Sequence, residues 1–437
     1  MSSSVVVPSV SSVEEISTGN EKGAEVNKTS YPTCQAQVNP EADVGNMQIS
    51  DGRTKGTSRD SKCGIRTLKI VTSLICGVML GIGLEKARVF DPRSVRDQMV
   101  FESFTMLKMF FTAVATGQIT LSILSIIPRT KHYFDESCKH FVACFAYKGV
   151  LSTILGSFTF GVGMSLCGAC PAMVFAQIGG AVPNAVFSLI GGLFGALTYG
   201  MLAHVIERTT KPKNPVQVHQ IHKKLNLPYI ALALPMAAFL CGGVAIIEWL
   251  WPTSKDLNSL NIEISADTNV FQQVAWPPYI AGILVGLCQV PLVLVLCDTL
   301  GGSSCYATVV SQWVVTERLQ KMFPYLARCR GGLGNWWQVL LVIGVTGGSV
   351  MSAGLSSSIG TVSGVSIPDA LVGGVLMLWG SRFASGCTSG HGISGMGLFA
   401  WLSFLAVPSI FAGGISTAFL MKYTGVKDHY VTYTGGV

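Results

Sequence analysis

Long apolar stretches alternate with short polar segments along most of the chain. A spanning helix needs about 20 apolar residues to cross a hydrocarbon layer about 30 Å thick. Nine stretches meet that requirement, at residues 67–85, 104–127, 146–167, 184–206, 228–251, 277–297, 336–357, 366–385 and 398–421. The pattern predicts an all-α polytopic membrane protein with about nine transmembrane helices.

Four of the segments between these stretches are rich in Gly, Pro or Ser. They cover residues 86–103, 168–183, 298–315 and 386–397. Each is too polar to span a bilayer and too short to form a domain. Irregular backbone enters a membrane only where protein buries it or where it lines a polar cavity, because unpaired N–H and C=O groups are costly in lipid. We therefore expect intramembrane re-entrant loops.

The composition agrees with a membrane protein and limits its partners. Apolar residues make up 49% of the chain and charged residues 12%, whereas soluble domains carry about a quarter charged residues. The net charge of +7 is spread over loops and forms no basic stripe, so nucleic-acid binding is not expected. Several of the 13 cysteines, such as Cys76, Cys241, Cys288 and Cys297, lie in apolar stretches, where a thiol behaves as a small hydrophobe.

Residues 1–65 carry no periodic apolar face and predict a disordered cytosolic tail. We assign residues 66–210 to a first transmembrane repeat and residues 276–425 to a second. A linker at 211–275 holds a central transmembrane helix and an outer loop. Residues 426–437 form a short C-terminal tail.

The two repeats share glycine and cysteine spacings. Gly163 precedes Cys170 by seven residues, and Gly380 precedes Cys387 by the same interval. Four spans return the chain to its starting side and the fifth crosses once more, so the second repeat begins on the opposite face. The repeats are therefore expected to be inverted, as in transporters that bind substrate at the repeat interface near the midplane.

The loops on the side of the amino terminus carry most of the Lys and Arg residues. By the positive-inside rule the amino terminus is cytosolic. The plasma membrane is favoured over an organelle membrane. The basic residues on this side are Arg129, Lys131, Lys139, Arg208, Lys211, Lys213, Lys223, Lys224, Arg318, Lys321, Arg328 and Arg330.

Cysteines occupy matching places in two re-entrant segments. Under this topology the segments that follow Cys170 and Cys387 enter from opposite faces and meet inside the membrane. A thiol is a weak, polarizable hydrogen-bond donor that suits a soft atom such as a terminal sulfur. Weak contacts at successive points let a substrate enter and leave.

The segment after Cys387 combines tight turns with neutral donors. Glycines bring backbone N–H groups close to a ligand, and a helix that starts there points its positive end at an anion. The residues expected to contact substrate here are Gly386, Thr388, Ser389 and Gly390.

Two further residues near this segment have alternative roles. Arg382 either attracts the ligand or extends its side chain to the membrane interface. His391 is expected to be structural or to support neighbouring groups; a ligand contact or a proton relay is the alternative.

Cys167 and Cys170 form a CxxC pair, which allows a different function. A membrane thiol–disulfide or persulfide oxidoreductase would use this pair. Soft-metal transport through the same pair has less support, because no His- or Met-rich tract accompanies it.

The stretch "ASGCTSGHGISG" at 384–395 resembles the "GGCTSGHG" signature of the YeeE/YedE family of sulphur-transport-domain membrane proteins. The stretch "GVGMSLCGACP" at 161–171 is similar to the companion motif of the first half of that family. The resemblance extends over residues 67–425.

The resemblance implies an hourglass-shaped permease for an inorganic sulfur anion, best exemplified by thiosulfate, which pore cysteines pass along by transient S–H hydrogen bonds. Cys170 and Cys387 match the two central cysteines. The family's remaining pathway cysteine falls in the first intramembrane loop, where this chain reads "EKARVFDP". Cys305 lies in the corresponding loop of the second half and is a candidate replacement.

The expected partners are a thiosulfate-like anion and the lipid bilayer, with no enzymatic activity, cofactor or metal. A weaker hypothesis is a scaffold that passes sulfur to a cytosolic sulfurtransferase through the loops at 207–227 and 316–335.

Overall fold

The computed structural model describes residues 57–145, 149–210, 220–260, 262, 269–270 and 272–432, with side chains from residue 64 onward. Most of the predicted tail at 1–65 and the end of the predicted C-terminal tail lie outside these residues. The first helix begins at Thr57, ahead of the predicted end of the tail.

The first half contains α1 (Thr57–Lys86), α2 (Pro92–Met99), α3 (Thr105–Ile126), α4 (Pro128–Ala143), α5 (Val150–Cys167), α6 (Pro171–Gly179) and α7 (Ala185–Thr210). Between the halves lie α8 (Ile221–Lys224), α9 (Tyr229–Leu250) and α10 (Thr253–Ser259). The second half contains α11 (Pro278–Leu287), α12 (Gln289–Pro291), the π-helical segment π1 (Leu292–Leu296), α13 (Ser304–Val310), α14 (Glu317–Met322), α15 (Pro324–Cys329), α16 (Leu333–Leu355), α17 (Ile367–Ala384), the π-helical segment π2 (Thr388–Gly395) and α18 (Trp401–Tyr423). The short strands β1 (Gly364–Val365) and β2 (Tyr430–Val431) pair antiparallel.

Eight helical segments in the described part of the chain are long and apolar enough to cross a membrane. The number is nine if α17 and π2, which meet at an angle of 44°, form one broken span. Each overlaps one of the nine predicted stretches. The prediction of an all-α polytopic membrane protein is therefore confirmed, while the inverted relation of the halves stays a prediction.

The segment at 168–183 differs from the expectation of a loop. It contains α6, which together with α5 forms one apolar segment of 30 residues. Pro171 takes the first helical position of α6, where its missing N–H costs nothing. The polar segments at 86–103, 298–315 and 386–397 likewise contain α2, α13 and π2.

Glycines let α5 and α17 cross with their backbones in direct contact. The backbone of Gly163 packs against Gly373, and that of Gly156 packs against Gly380. A Cβ atom at any of these positions would overlap the facing helix. The two helices run antiparallel, so the end of α5 lies beside Gly373 near the start of α17, and the end of α17 lies beside Gly156 in the first half of α5.

The remaining long helices pack around this crossing in matching pairs. Helix α7 packs against α17, and α18 packs against α5. Helix α1 packs along α16, and α3 packs along α11. These four contacts form two matching pairs between the halves, while α9 packs against α3.

Buried ion pairs fix the loops on the side where α1 ends. Lys108 on α3 is fully buried and lies 3.0 Å from the carboxylate of Asp256 and 2.8 Å from that of Glu248. Lys427, after α18, contacts Asp97 at 2.9 Å and also pairs with Glu102. These contacts hold α10 and the segment after α18 against the start of α3.

Candidate functional site

The two helix breaks have the same local geometry. Helix α5 ends at Gly168 and α17 ends at Ser385, both left-handed with φ near +60° (61° and 65°). Two residues later Cys170 and Cys387 adopt extended backbone conformations immediately before α6 and π2. Each thiol therefore stands at the amino-terminal end of a short intramembrane helix.

The two cysteine segments meet in the interior of the protein. The Cys170 thiol lies near Cys387 and near the Thr388 hydroxyl. The Cys387 Sγ lies 3.2 Å from the Ser389 Oγ. Both cysteines are buried, at 8% and 1% exposure. The structure thus brings together four of the predicted pathway residues.

An apolar chamber of about 70 Å³ lies on one side of this meeting point. Cys170, Thr388 and Ser389 contribute to its wall. Its other walls are aliphatic, aromatic and thioether side chains: Leu80, Leu84, Met106, Met109, Phe110, Met164, Ala172, Met173, Val285, Leu300, Ile393, Val407, Ile410 and Phe411. We call this cavity the apolar chamber.

A polar chamber of about 50 Å³ lies beside Cys387. Gly386 and Gly390 also line it. The rest of its wall is Phe141, Cys144, Phe145, Asp298, Thr299, Leu300, Gly301, Ser303, Ser304, Gln338, Arg382 and Ser385. We call this cavity the polar chamber.

The chambers lie toward opposite ends of the spans. The apolar chamber is lined by Leu84 near the end of α1 and Met106 at the start of α3. The polar chamber is lined by Phe141 and Phe145, which follow the other end of α3. Cys170 lines the first chamber and Cys387 the second, so a thiol borders each.

Arg382 points inward from the last turn of α17. Its side chain is 5% exposed, donates to the Ser304 hydroxyl at 3.2 Å and makes a short hydrogen bond to Ser303. Its guanidinium therefore lies in the wall of the polar chamber, and its role toward a ligand stays a prediction.

His391 is fully buried and lines neither of the two chambers. Its Nε2 lies 3.2 Å from the Ala384 carbonyl, and its Nδ1 lies 3.2 Å from the Ser403 hydroxyl. A carbonyl only accepts, so Nε2 carries the proton and Nδ1 accepts from Ser403 in the neutral ring. The imidazole ties π2 to the end of α17 and to α18.

The other predicted cysteines lie beside the pathway. The Cys167 thiol lies 3.5 Å from the Ala169 carbonyl and 3.9 Å from the Met377 sulfur, and it lines neither chamber. The Cys305 thiol donates to the Gly302 carbonyl at 3.1 Å and interacts electrostatically with Arg382 and Cys387. The structure therefore groups Cys305 with the second thiol and turns Cys167 toward the helix packing.

Two residues that sequence reasoning missed also belong to this region. Tyr306 is fully buried, and its hydroxyl donates to the Pro171 carbonyl at 3.0 Å, which docks α13 on α6. Asp298 lines the polar chamber. Its signal was an acid directly after an apolar run, a costly place for a carboxylate. Tyr306 follows the predicted Cys305, but no spacing rule pointed to it.

Within the described part of the chain, no group of three or more His, Cys, Asp or Glu side chains has a geometry that could hold a metal ion.

Comparison with known families agrees with these features. The family model described as "Sulphur transport" matches residues 86–416, which include both helix breaks and the walls of the polar chamber. The chain belongs to the sulphur transport family. The resemblance found in the two cysteine motifs is thereby confirmed.

Three known proteins are similar to this chain over different lengths. The thiosulfate transporter TsuA of Escherichia coli K12 is 21% identical over 367 residues, which cover 80% of this chain and 94% of that protein. TsuA of Spirochaeta thermophila is 22% identical over 376 residues, or 80% of this chain and 99% of that protein. A probable transporter of Xylella fastidiosa 9a5c is 27% identical over 147 residues, or 33% of this chain. These relatives are named as transporters, which agrees with the expectation of a protein that is not an enzyme.

Proposed function

We propose that this member of the sulphur transport family is a channel-like permease for thiosulfate or a closely related inorganic sulfur anion. The observation that carries the proposal is the pair of helix breaks that present Cys170 and Cys387 to chambers on opposite sides of one meeting point. Two relatives that align along nearly their whole length are named thiosulfate transporters, which supports this substrate class.

The two ends of thiosulfate match the chemistry along the route. Its oxygen atoms carry hard negative charge, which the Arg382 guanidinium and the hydroxyls of Ser303 and Ser304 would bind in the polar chamber. Its terminal sulfur is polarizable and would meet the thiols of Cys387 and Cys170. An S–H donor bonds weakly, so the anion is passed from one thiol to the next without being trapped.

We infer that the two halves are inverted repeats. The supporting observations are the matching helix pairs, the glycine crossing of α5 and α17, and the left-handed residue two positions before each pathway cysteine. With the amino terminus in the cytosol, as the Lys and Arg distribution predicts, the polar chamber faces the cytosol and the apolar chamber faces outward. The plasma membrane is the location that we propose. Delivery to a sulfurtransferase stays a prediction.

Uptake of radiolabelled thiosulfate by proteoliposomes tests the proposal. We expect Cys170→Ala and Cys387→Ala each to lower initial uptake at least tenfold, because each removes a donor from the route. The matched control is Cys329→Ala, which removes a buried thiol packed with Tyr199 and Tyr325 away from both chambers. Circular dichroism of each variant checks that the fold is retained.

Competition by unlabelled sulfite, sulfide and sulfate then defines the substrate. Thiosulfate should compete best and sulfate least, because sulfate has no terminal sulfur. Uptake at the wild-type rate by both pathway variants would refute the thiol route. Failure of the wild-type protein to carry any sulfur anion would refute the proposed function itself.

A further inference from the structure

A carboxylate faces the same cavity as the guanidinium that would hold the anion. Asp298 follows Leu296, where the sixth candidate span ends, and lines the polar chamber together with Arg382 and Cys387. Its carboxylate accepts a hydrogen bond from the backbone N–H of Thr299 at 2.8 Å. This inference rests on the proposed function, because the carboxylate matters only if an anion passes this chamber.

Charged and titratable groups lie around Asp298 on α1, α4 and α17 and before π2. The Arg382 guanidinium on α17, the Cys387 thiol before π2 and the Cys144 thiol after α4 line the same chamber. On α4, the His140 Nδ1 lies 3.0 Å from the Cys297 carbonyl, and its Nε2 lies 3.4 Å from the Glu136 carboxylate. Lys69 on α1 interacts electrostatically with Cys297, the neighbour of Asp298. Arg382 is the cation among the residues that line the polar chamber.

An anion in the polar chamber would lie close to the Asp298 carboxylate, which forms part of its wall. The two negative charges would repel each other at short range, where little water screens them. A proton on Asp298 removes the repulsion and turns an acceptor into an O–H donor that can bind the anion. Binding of the anion in the polar chamber is therefore linked to binding of a proton by Asp298.

The pKa of Asp298 lies where the carboxyl changes its charge near neutral pH. Burial raises the pKa of this carboxyl to about 7, against the opposing effect of the Thr299 N–H. The sign follows directly: below this pKa the side chain is neutral and admits the anion, and above it the side chain is charged and excludes the anion. The protonated fraction falls from about nine tenths at pH 6 to about one tenth at pH 8.

We propose that Asp298 is a proton-binding site on the anion route, so that one proton enters the polar chamber with each anion and the two move through the protein together. The carboxylate takes up the proton when the anion binds and releases it when the anion leaves. The atom balance is one proton bound and one proton released, with no covalent bond to the substrate. The permease is then a proton–anion symporter.

Thiosulfate uptake by proteoliposomes at symmetric pH 6 and pH 8 tests the linkage, because thiosulfate itself remains a dianion over this range. We expect wild-type uptake at subsaturating thiosulfate to be about five- to tenfold faster at pH 6. In Asp298→Asn the rate at pH 8 should rise to within about twofold of its rate at pH 6. The matched control is Glu136→Gln, which neutralises a nearby acid that does not line the chamber and should keep the wild-type ratio.

A pH-sensitive dye inside the vesicles separates coupling from a simple pH effect. A thiosulfate gradient should acidify the lumen through the wild-type protein and through Glu136→Gln, and not through Asp298→Asn. Asp298→Glu provides a second variant that keeps a carboxyl and should keep the acidification. Wild-type thiosulfate uptake without any lumen acidification, or with the same rate at both pH values, would overturn the symport and leave the thiosulfate permease standing.

Discussion

The two pathway cysteines have equivalent backbone positions and different neighbours. The Cys387 thiol lies beside a serine hydroxyl and borders a chamber with a guanidinium. Cys170 borders a chamber lined with methionines, and its backbone N–H approaches the Met173 sulfur at 3.4 Å. Under the proposed function, the hard end of the anion is therefore held on the Cys387 side, and its soft end faces thioethers on the other side.

Arg382 provides a test of this asymmetry. Arg382→Gln removes the cation from the polar chamber, and hydrogen bonds to charged groups contribute about 1.5–3 kcal/mol. We expect the KM for thiosulfate uptake to rise about ten- to a hundredfold. Arg382→Lys keeps the charge but lacks the planar guanidinium, so its KM should fall between those of the wild type and Arg382→Gln. An unchanged KM in Arg382→Gln would mean that the anion does not use this guanidinium.

Cys167 provides a test of the redox alternative. Its thiol packs against Met377 and lines neither chamber, so Cys167→Ser should keep thiosulfate uptake within about twofold of wild type. Labelling with a thiol reagent before and after mild oxidation measures any disulfide to Cys170. A loss of uptake together with an oxidation-sensitive label would favour the oxidoreductase.

At the scale of elements, the helix breaks depend on two residues with positive φ. Gly168 adopts this conformation at no steric cost, whereas Ser385 carries a side chain in the left-handed region. The backbone N–H of Ser385 bonds back to the last turn of α17, which ends the helix just before Cys387. Ser385 therefore sets the direction in which the chain leaves α17 toward Cys387.

Substitution at Ser385 tests the break. Ser385→Gly should fold as well as wild type, because glycine favours the same conformation. Ser385→Val places a β-branched side chain in the left-handed region and should cost about 1–2 kcal/mol. Thermal unfolding in detergent measures the difference, and thiosulfate uptake reports whether the Cys387 segment is displaced. Equal melting temperatures for the two variants would show that this residue does not control the break.

The sequence predicted the helices better than the tertiary contacts between them. Hydrophobic length determines a span, so all nine stretches were found, and Gly-rich motifs located the breaks beside Cys170 and Cys387. The inward direction of Arg382 and the docking of Tyr306 on Pro171 were not predictable, because both depend on a loop after π1 that reaches the end of α17 only through tertiary packing. The same packing brings Asp298 into the polar chamber.

At the scale of the whole molecule, the C-terminal segment connects distant parts of the chain. Strand β2 pairs with β1 just before α17, and Lys427 bonds Asp97 and Glu102 around α2. Arg96 on α2 in turn donates to the carbonyl groups of Ser165 and Leu166 at the end of α5. The carboxyl terminus thus braces the start of the first cysteine segment.

The pH dependence of stability tests this brace. Desolvation opposes the effect, but hydrogen bonds from Lys422 and Lys427 hold the pKa of Glu102 below its usual value. A carboxylate with a lowered folded pKa stabilises the protein at neutral pH, and that contribution is lost as the pH falls through the folded pKa. Lys427→Met should therefore lower the melting temperature at pH 7, by a margin that shrinks toward pH 4. A margin that is constant with pH would exclude the ion pair as its cause.

The direct backbone contact between α5 and α17 has a kinetic consequence. At the glycine contacts no side chain separates the two helices, so they have little room to slide or rock past each other, and the cysteine segments at their ends share that rigidity. We therefore expect an anion to pass this helix pair with only local rearrangements of side chains and water. We expect thiosulfate flux to have a low activation enthalpy and to vary little with the thickness of the lipid bilayer.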